Sequence, residues 1–435
     1  MKGILLIAYT CLPLLLYGQR EIRTYYDPQK KKVRELYSVA ADNETPAGKY
    51  RRYYENGNVM VEGYFKDGEK SGPFTEFHEN GTIARKFHYV NGMRHGLVEI
   101  YDESGKSVQK GWYENDILAD SIRMFFASGN LRKETFFVNG KPDGLVKEYY
   151  PDGKVKKEIT YRNGKPNGIA QTFYDNGRIE TEAHYEEGIL TGFFKTYYAD
   201  GQLQTVSTMA EGTRNGQYES YDREGNLVLE GHFLNGRLHG DNVGYYPGGV
   251  VRHRFTYSEG KKVGTNYEYY ADGKIKTREV GTNKGNDLAR YSYSKQEMLE
   301  SETRFRNEKP HGTWTHYYPS TKVPKAKETY AEGKLTGTRY TYHSGGNIAT
   351  EETFRFNLLA GPYKTYFENG ELRSSTEYRN GRKHGLSTVY HHNGKVKEQG
   401  EYAADKKHRE WKEYDEEGNL MNTWVYRAGI RVPAK

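Results

Sequence analysis

Aromatic and aliphatic residues return along this chain at a fixed step of 24 residues. The strictest column is aromatic, and after residue 317 it continues one residue late: Tyr53, Phe77, Tyr101, Phe125, Tyr149, Phe173, Tyr197, Tyr221, Tyr245, Tyr269, Tyr293, Tyr317, Tyr342, Tyr366, Tyr390 and Tyr414. A second aromatic column passes through Phe65 and an aliphatic one through Val59, with polar residues between. No helical period appears after residue 19. Such a step indicates small stacked units that cannot bury an apolar face alone.

Glycines in the same register predict that each unit is a strand, a tight turn, a strand and a looser turn. Glu79-Asn80-Gly81 suits a three-residue hairpin loop, a type I turn closed by glycine in the left-handed region. That loop would place Phe77 opposite Ile83, so the strict aromatic column and the aliphatic column would share a face. The second connection, Asn91–Gly96, contains two glycines and is predicted to be the looser turn.

The units resemble a known repeat. Tyr149–Val155 (YYPDGKV) followed by Tyr161–Gly168 (YRNGKPNG) is similar to MORN repeats, specifically those of the bacterial MORN-repeat-variant family, and the resemblance covers about residues 25 to 430. It implies an antiparallel meander used as an interaction module, and some bacterial relatives carry the label of antitoxin or immunity component. We therefore expect an all-β fold, an elongated single-layer antiparallel β-meander of about 17 tandem 24-residue hairpin repeats.

Four regions are predicted along the chain: a signal peptide at 1–18, a repeat array at 25–280, degenerate repeats at 281–327 and a second array at 328–430. The degenerate region lacks turn glycines from Asn283 to Met298. It also contains Pro319 and Pro324, with a one-residue insertion before Tyr330. Proline within a strand favours a bulge or an edge. Drift of one repeat is one interpretation, and a kink or specialised site is the other.

The N-terminus indicates export. Lys2 precedes an apolar run, Ile4–Leu16, that is too short to span a bilayer, and Gly18 offers a small residue at the cleavage position. We predict a mature protein in the periplasm, at the cell surface or secreted. Lipidation at Cys11 is the weaker alternative, because Thr10 precedes it and apolar sequence follows. Cleavage near residue 18 would leave no cysteine, which excludes disulfides, thiol nucleophiles and cysteine metal sites.

Composition favours thin β-structure over disorder. Only 35% of residues are hydrophobic and the mean hydropathy is −0.97, yet 14% are aromatic, with 41 tyrosines. Disordered chains are poor in aromatics. The net charge of +7 comes from 65 basic and 58 acidic residues interleaved along the chain. That mixing is typical of solvated sheet faces and argues against nucleic acid as a partner.

No catalytic constellation is apparent, and we expect neither an enzyme nor a cofactor. There is no nucleophile elbow and no phosphate loop. His95, His239, His311 and His384 share one turn column, but they lie three or six units apart, roughly 29 Å or more at the spacing of β-strands, so no shared metal site is expected. A carbohydrate-active enzyme with paired carboxylates is the enzymatic alternative, but the acidic residues are too scattered to nominate a pair.

One further aromatic column directly follows the strict one and is called the stripe here. Its members are Tyr54, Phe126, Tyr150, Tyr174, Tyr198, Tyr246, Tyr270, Tyr318 and Phe367. Consecutive strand residues point to opposite faces, so the stripe is predicted to be exposed on the more polar face. Such a surface suits partner binding, and stiffening of a single-layer sheet is the alternative.

The sequence thus predicts an exported, non-catalytic scaffold at the bacterial cell envelope. A protein partner is expected, while a glycan or an anionic membrane surface stays open because of the mild basic surplus. The alternative function, which rests on the family resemblance, is an antitoxin or immunity component that neutralises a partner toxin.

Overall fold

The computed structural model describes residues 20–42, 44–281 and 286–433. The predicted signal peptide, residues 1–18, lies outside the described residues. Within the described ranges the chain forms 42 strands joined by turns. None of the described residues forms a helix of the length and apolarity that crossing a bilayer requires. The chain divides into two units, Met1–Leu203 with Met209–Gly212, and Gln204–Thr208 with Thr213–Lys435.

The first unit is built from hairpin strands of up to nine residues. They are β1 (Arg20–Tyr25), β2 (Val33–Val39), β3 (Pro46–Tyr53), β4 (Val59–Lys66), β5 (Glu69–Lys70), β6 (Gly72–Phe77), β7 (Ile83–Val90), β8 (Met93–Arg94), β9 (Gly96–Tyr101), β10 (Ser107–Glu114), β11 (Ile117–Phe125), β12 (Leu131–Val138), β13 (Lys141–Pro142), β14 (Gly144–Tyr149), β15 (Val155–Arg162), β16 (Lys165–Phe173), β17 (Ile179–Glu186) and β18 (Ile189–Tyr197). Strand β19 (Leu203–Ala210) contains residues of both units.

The second unit repeats the same hairpins. Its strands are β20 (Thr213–Tyr221), β21 (Leu227–Leu234), β22 (Arg237–Leu238), β23 (Gly240–Tyr245), β24 (Val251–Ser258), β25 (Lys261–Lys262), β26 (Thr265–Tyr269), β27 (Ile275–Gly281), β28 (Asp287–Tyr293), β29 (Leu299–Arg306), β30 (Lys309–Pro310), β31 (Gly312–Tyr317), β32 (Pro324–Ala331), β33 (Lys334–Leu335), β34 (Gly337–Tyr342), β35 (Ile348–Arg355), β36 (Leu358–Tyr366), β37 (Leu372–Arg379), β38 (Arg382–Tyr390), β39 (Val396–Ala403), β40 (Lys406–Tyr414), β41 (Leu420–Arg427) and β42 (Ile430–Val432).

Within each unit, successive strands pair antiparallel, which confirms the predicted all-β meander. The three-residue turn is also confirmed. Phe77 of β6 pairs with Ile83 of β7. The Gly81 amide donates to the carbonyl of His78 at 2.9 Å, and Gly81 has a φ of 87°. Glycine is needed there because other residues rarely adopt that conformation.

The second connection is tighter than predicted. Val90 pairs directly with Met93, and the two residues between them, Asn91 and Gly92, have φ values of 50° and 75°. Two positive φ values define the type I′ turn, which matches the twist of a hairpin. The expected looseness is confined to a bulge just beyond, at Gly96, which has a φ of 101°.

The one-residue insertion lies in the turn between β31 and β32, which corresponds to the three-residue turns of the other repeats. The Tyr318 amide bonds the carbonyl of Val323, whereas the equivalent Tyr54 amide bonds that of Asn58 four residues on. The extra residue therefore lengthens the turn between β31 and β32. Pro324 is the first residue of β32, a position where a strand tolerates proline.

Fully buried side chains are few among the described residues. In the first unit Val146, Ile159 and Ala170 form a cluster against Tyr161 and Tyr185. In the second unit Trp411 is 1% exposed, and a Cβ added at Gly400 would lie 2.3 Å from its ring. Glycine across the strand therefore makes the room for this large ring.

Candidate functional site

The stripe lies where the strands end and the three-residue turns begin. Tyr174 directly follows β16; its amide donates to the carbonyl of Arg178 at 2.9 Å, and its own carbonyl accepts from the Gly177 amide at 2.9 Å. All nine stripe residues are half-buried. The expectation of an exposed stripe on the polar strand face is therefore wrong in its geometry, because strand alternation stops at the residue where the turn starts.

Six stripe tyrosines use their hydroxyls to bond the following repeat. The bonds join Tyr54 to the carbonyl of Phe77 (2.8 Å), Tyr150 to Phe173 (2.7 Å), Tyr174 to Tyr197 (2.7 Å), Tyr246 to Tyr269 (2.9 Å), Tyr270 to Tyr293 (2.8 Å) and Tyr318 to Tyr342 (2.6 Å). Every acceptor belongs to the strict aromatic column, one repeat further on. Each hydroxyl thus connects consecutive hairpins, which supports the stiffening role for these six side chains.

Other members of the same column show which chemistry this position needs. His78, His343 and His391 bond the corresponding carbonyls through Nε2 at 3.1, 3.1 and 2.9 Å. Asp102 and Asp222 instead accept amides of their own turns, from Ser104 and Glu224. Sequence reasoning offered stiffening as the alternative role of the stripe but missed the side-chain bond to the next repeat that provides it. The recurrence of donors, tyrosine or histidine, at one position was the signal that could have found it.

The two stripe phenylalanines have no hydroxyl to donate. Phe367 stacks on His392 with ring centroids 3.8 Å apart and an interplanar angle of 26°. Phe126 begins its turn as the tyrosines do, with its amide on the carbonyl of Asn130 at 2.8 Å. Partner binding by the stripe stays a prediction, and Phe126 and Phe367 are stripe residues in which it can be tested without breaking a hydroxyl bond.

Two stripe residues border open grooves. Tyr54 lies on a groove of about 630 Å³ with Leu36, Lys31 and Lys32 on its wall, and Lys32 is 3.7 Å from Glu55. Tyr318 lies on another, of about 540 Å³, whose lining residues come from both the predicted degenerate region and the repeats that follow it. Both grooves are lined by charged side chains as well as rings, which suits polar contacts more than a buried apolar ligand.

Tyrosines of the strict aromatic column bond carboxylates instead of carbonyls. The Tyr245 hydroxyl donates to Glu230 at 2.6 Å and that of Tyr366 to Glu351 at 2.8 Å. The bond to Glu230 raises the pKa of Tyr245 to about 12, and burial followed by the bond to Glu351 raises the pKa of Tyr366 to about 12. These hydroxyls therefore stay protonated at neutral pH and serve as donors, not as bases.

Ion pairs also join neighbouring strands of the first unit. Lys147 and Glu158 face each other across β14 and β15 at 2.8 Å, and Arg123 and Glu134 across β11 and β12 at 2.7 Å. All four side chains keep contact with solvent. Exposed pairs of this kind add only about 0–1 kcal/mol each, so they make the sheet polar more than they stabilise it.

The described residues contain no group of three or more His, Cys, Asp or Glu side chains that could hold a metal ion. His311 is the histidine of the predicted turn set with an acidic neighbour, its Nδ1 lying 3.8 Å from a carboxylate oxygen of Glu332. That distance is too long for a hydrogen bond.

The comparisons with known proteins identify the repeat. The family described as MORN repeat variant matches residues 47–67, 70–91, 94–115, 142–163, 166–187, 214–235, 359–380 and 383–404. No curated protein matches the chain.

Solved structures are also similar to this chain, and two of them follow. A chain of the Photorhabdus luminescens Tc holotoxin pore is 12% identical over 94% of this chain and 25% of its own length, with a TM-score of 0.16. A chain of the TcdB2-TccC3-Cdc42 complex is 13% identical over 93% and 26%, with a TM-score of 0.15. This chain spans about a quarter of the solved chains it matches, and likeness at that level carries no argument. The eight repeats matched between residues 47 and 404 identify this chain as a member of the MORN-repeat-variant family.

Proposed function

We propose that this protein is an exported scaffold of the bacterial cell envelope that binds a partner protein and performs no catalysis. The observation that supports it most is the way in which the repeats are held. Bonds between consecutive hairpins recur at the three-residue turns, so side chains on the sheet are presented at fixed positions. A rigid surface loses little conformational entropy on binding, which favours affinity.

Exposed apolar side chains supply a second support. Those on β7 to β12 of the first unit are Val90, Met93, Leu97, Trp112, Ile117 and Val138, each at least 39% exposed. Trp112 and Leu97 pair across β10 and β9. Apolar groups that remain accessible on a charged protein mark interaction surfaces, and tryptophan is enriched among the residues that dominate binding energy.

Affinity capture of the full chain from its own cell envelope tests the proposal. The tagged chain should enrich a protein partner at a fixed stoichiometry, and Trp112→Ser with Ile117→Ser should reduce that enrichment if these exposed apolar side chains contribute. The matched control is Thr160→Ser, a substitution on the same strand position as Trp112 two repeats on. Recovery of the tagged chain alone from envelope extracts, with and without cross-linking, would contradict the proposal.

The same experiment separates the alternative function. If the captured partner were a toxin whose effect the chain suppresses in a growth assay, the antitoxin or immunity role would replace that of a general scaffold. Export is tested by fractionation, which should place the full chain outside the cytoplasm. A chain that is retained in the cytoplasm would contradict the envelope assignment without touching the binding proposal.

A further inference from the structure

One two-residue turn of the second unit presents two exposed apolar side chains, Phe356 and Leu358, which are called the knob. Phe356, at the tip of the turn between β35 and β36, is 58% exposed, and Leu358, which follows the turn, is 51% exposed. The equivalent tip residues of other repeats are polar or small, such as Asn91, Glu332 and Asn380. Phe356 is therefore an aromatic residue at a position that other repeats give to polar or small residues.

The backbone conformation of this tip disfavours phenylalanine. Phe356 has a φ of 51°, a left-handed conformation that asparagine and glycine adopt more readily than bulky residues do. Among the described residues it is the one aromatic side chain with a positive φ. Departures from local preference of this kind are expected at functional sites, where a gain elsewhere offsets the cost.

The tip is held rigidly by its neighbour. The Asn357 amide donates to the carbonyl of Leu335 at 2.9 Å, and the Asn357 side chain accepts from the Leu335 amide at 2.7 Å. Leu358 pairs with Arg355 across the turn. The backbone that carries the knob is therefore held in place by the neighbouring repeat.

Cations surround the knob. Lys334 lies 5.7 Å from the centre of the Phe356 ring, and Arg355, Arg379 and Arg382 are exposed on the same turn and the next one. Within the described residues none of these four cations forms an ion pair. The turns at 355–358 and 379–382 contain no carboxylate. Glu332, in the turn of Lys334, is the one acidic residue of the turns at 331–334, 355–358 and 379–382, so four cations face one carboxylate around the knob.

We propose that this row of turns is the docking site for an acidic segment of a partner protein. The segment would place carboxylates against Lys334, Arg379 and Arg382 and one apolar side chain against Phe356 and Leu358. Unpaired cations around an apolar centre are the electrostatic complement of such a segment. The inference rests on the proposed function, since it names the chemistry of the partner that the scaffold binds.

The spacing between successive two-residue turns fits an extended segment of a partner protein. Lys309, Lys334, Leu358, Arg382 and Lys406 take equivalent places in successive repeats. Equivalent places are two strands apart, roughly 10 Å. An extended chain advances ~3.3 Å per residue, so every third residue of the partner meets the next repeat. Two apolar side chains on one tip are too small a surface for stable insertion into a bilayer, which favours a protein over a membrane.

Binding of a designed peptide to the full chain tests the site. The probe is a fluorescent peptide that repeats Glu-Glu-Leu four times, measured by anisotropy, with Lys-Lys-Leu and Glu-Glu-Ser repeats as comparison peptides. The Glu-Glu-Leu peptide should bind most tightly. Phe356→Asn with Leu358→Lys should weaken it at least ~10-fold, and Arg379→Glu with Arg382→Glu should do the same.

Matched variants separate binding from folding. Phe356→Asn installs a residue that tolerates the tip conformation, so the melting temperature should stay the same or rise. Ile189→Lys changes an equally exposed residue at the same repeat position in the first unit and should leave peptide affinity unchanged.

Three results would overturn the site. The first is equal peptide affinity of the wild type and the Phe356→Asn, Leu358→Lys variant, and the second is an equal loss of peptide affinity in Ile189→Lys. The third is a variant that loses only its binding to vesicles of anionic phosphatidylglycerol, which would assign the knob to membranes. Failure of the peptide arms while the full chain still captures a partner from the envelope refutes this site alone. Failure of the full chain to capture any partner from the envelope refutes the proposed scaffold function.

Discussion

The row of three-residue turns and the row of two-residue turns hold neighbouring repeats together with different atoms. In the three-residue row a side chain forms the bond, as Tyr174 does to the carbonyl of Tyr197 at 2.7 Å. In the two-residue row a backbone amide forms it, as Gly381 does to the carbonyl of Leu359 at 2.8 Å. The first row therefore engages tyrosine and histidine side chains in bonds to the next repeat, while the second leaves its side chains available.

This difference indicates where recognition can evolve without loss of the fold. Residues at the tips of the two-residue turns include aspartate, asparagine, glutamate, alanine and phenylalanine, all with φ near 50°. The backbone bond is the same for each of them. A tip residue such as Phe356 can therefore be selected for a partner, whereas a stripe tyrosine is selected first for its bond to the next repeat.

The largest contrast is expected from truncation at the two rows. Tyr174→Ala removes a half-buried ring and its hydrogen bond, and should cost about 2–4 kcal/mol locally. Phe356→Ala, at an exposed tip, should cost less than ~0.5 kcal/mol. Hydrogen exchange should show faster exchange around residues 174–197 in the first variant and little change in the second. Equal effects would remove the distinction between the rows.

Alkaline pH should weaken the strict aromatic column. The pKa of Tyr245 and that of Tyr366 are raised to about 12 from 10.0, so their stabilising contribution is complete below pH 10 and is lost as the pH rises toward 12. Urea midpoints measured between pH 9 and 12 should fall. The Tyr245→Phe, Tyr366→Phe variant should show a shallower fall, and an unchanged slope would argue against these carboxylate bonds.

A repair experiment isolates the hydroxyl bond itself. Tyr174→Phe should lose about 1 kcal/mol, the usual net value of one hydrogen bond. Phe126→Tyr supplies the hydroxyl that its column position lacks and should gain up to a similar amount through the carbonyl of Tyr149. Denaturant melts of the two variants are the measurement. A destabilised Phe126→Tyr would show that this repeat departs from the common geometry.

The smallest effect is expected at the knob. Phe356→Asn should stabilise the chain by a few tenths to about 1 kcal/mol, because asparagine tolerates the left-handed tip. Asn380→Gln is the matched control at the next tip, where the native residue already suits the turn. Thermal melts of both variants measure these changes in stability. A stability loss in Phe356→Asn would mean that the ring packs structurally and is not reserved for a partner.

Much of the fold could be predicted because the turn chemistry is local. Gly81 and the register of Phe77 against Ile83 follow from a loop of three residues, and the structure has both. The role of the Tyr54 column could not be found by the same rule. Its hydroxyl bonds a carbonyl 23 residues away, and strand alternation says nothing about a residue that starts a turn.

The knob could not be predicted for a related reason. In the sequence Phe356 is one apolar residue among many, and its significance depends on the positive φ of the tip and on the exposure of its ring. The cations that surround it are distributed over three repeats, from Lys334 to Arg382. Only the pairing of the strands brings them into one row.

Site-specific cross-linking in the native envelope tests the division between the rows most directly. A photoreactive benzoylphenylalanine would replace Phe356 in one chain and Phe367 in another, because both are aromatic, both belong to the second unit and Phe367 forms no hydroxyl bond. The account predicts a covalent partner adduct from position 356 and none from position 367. Adducts from position 367 alone would contradict it, since recognition would then lie on the stripe.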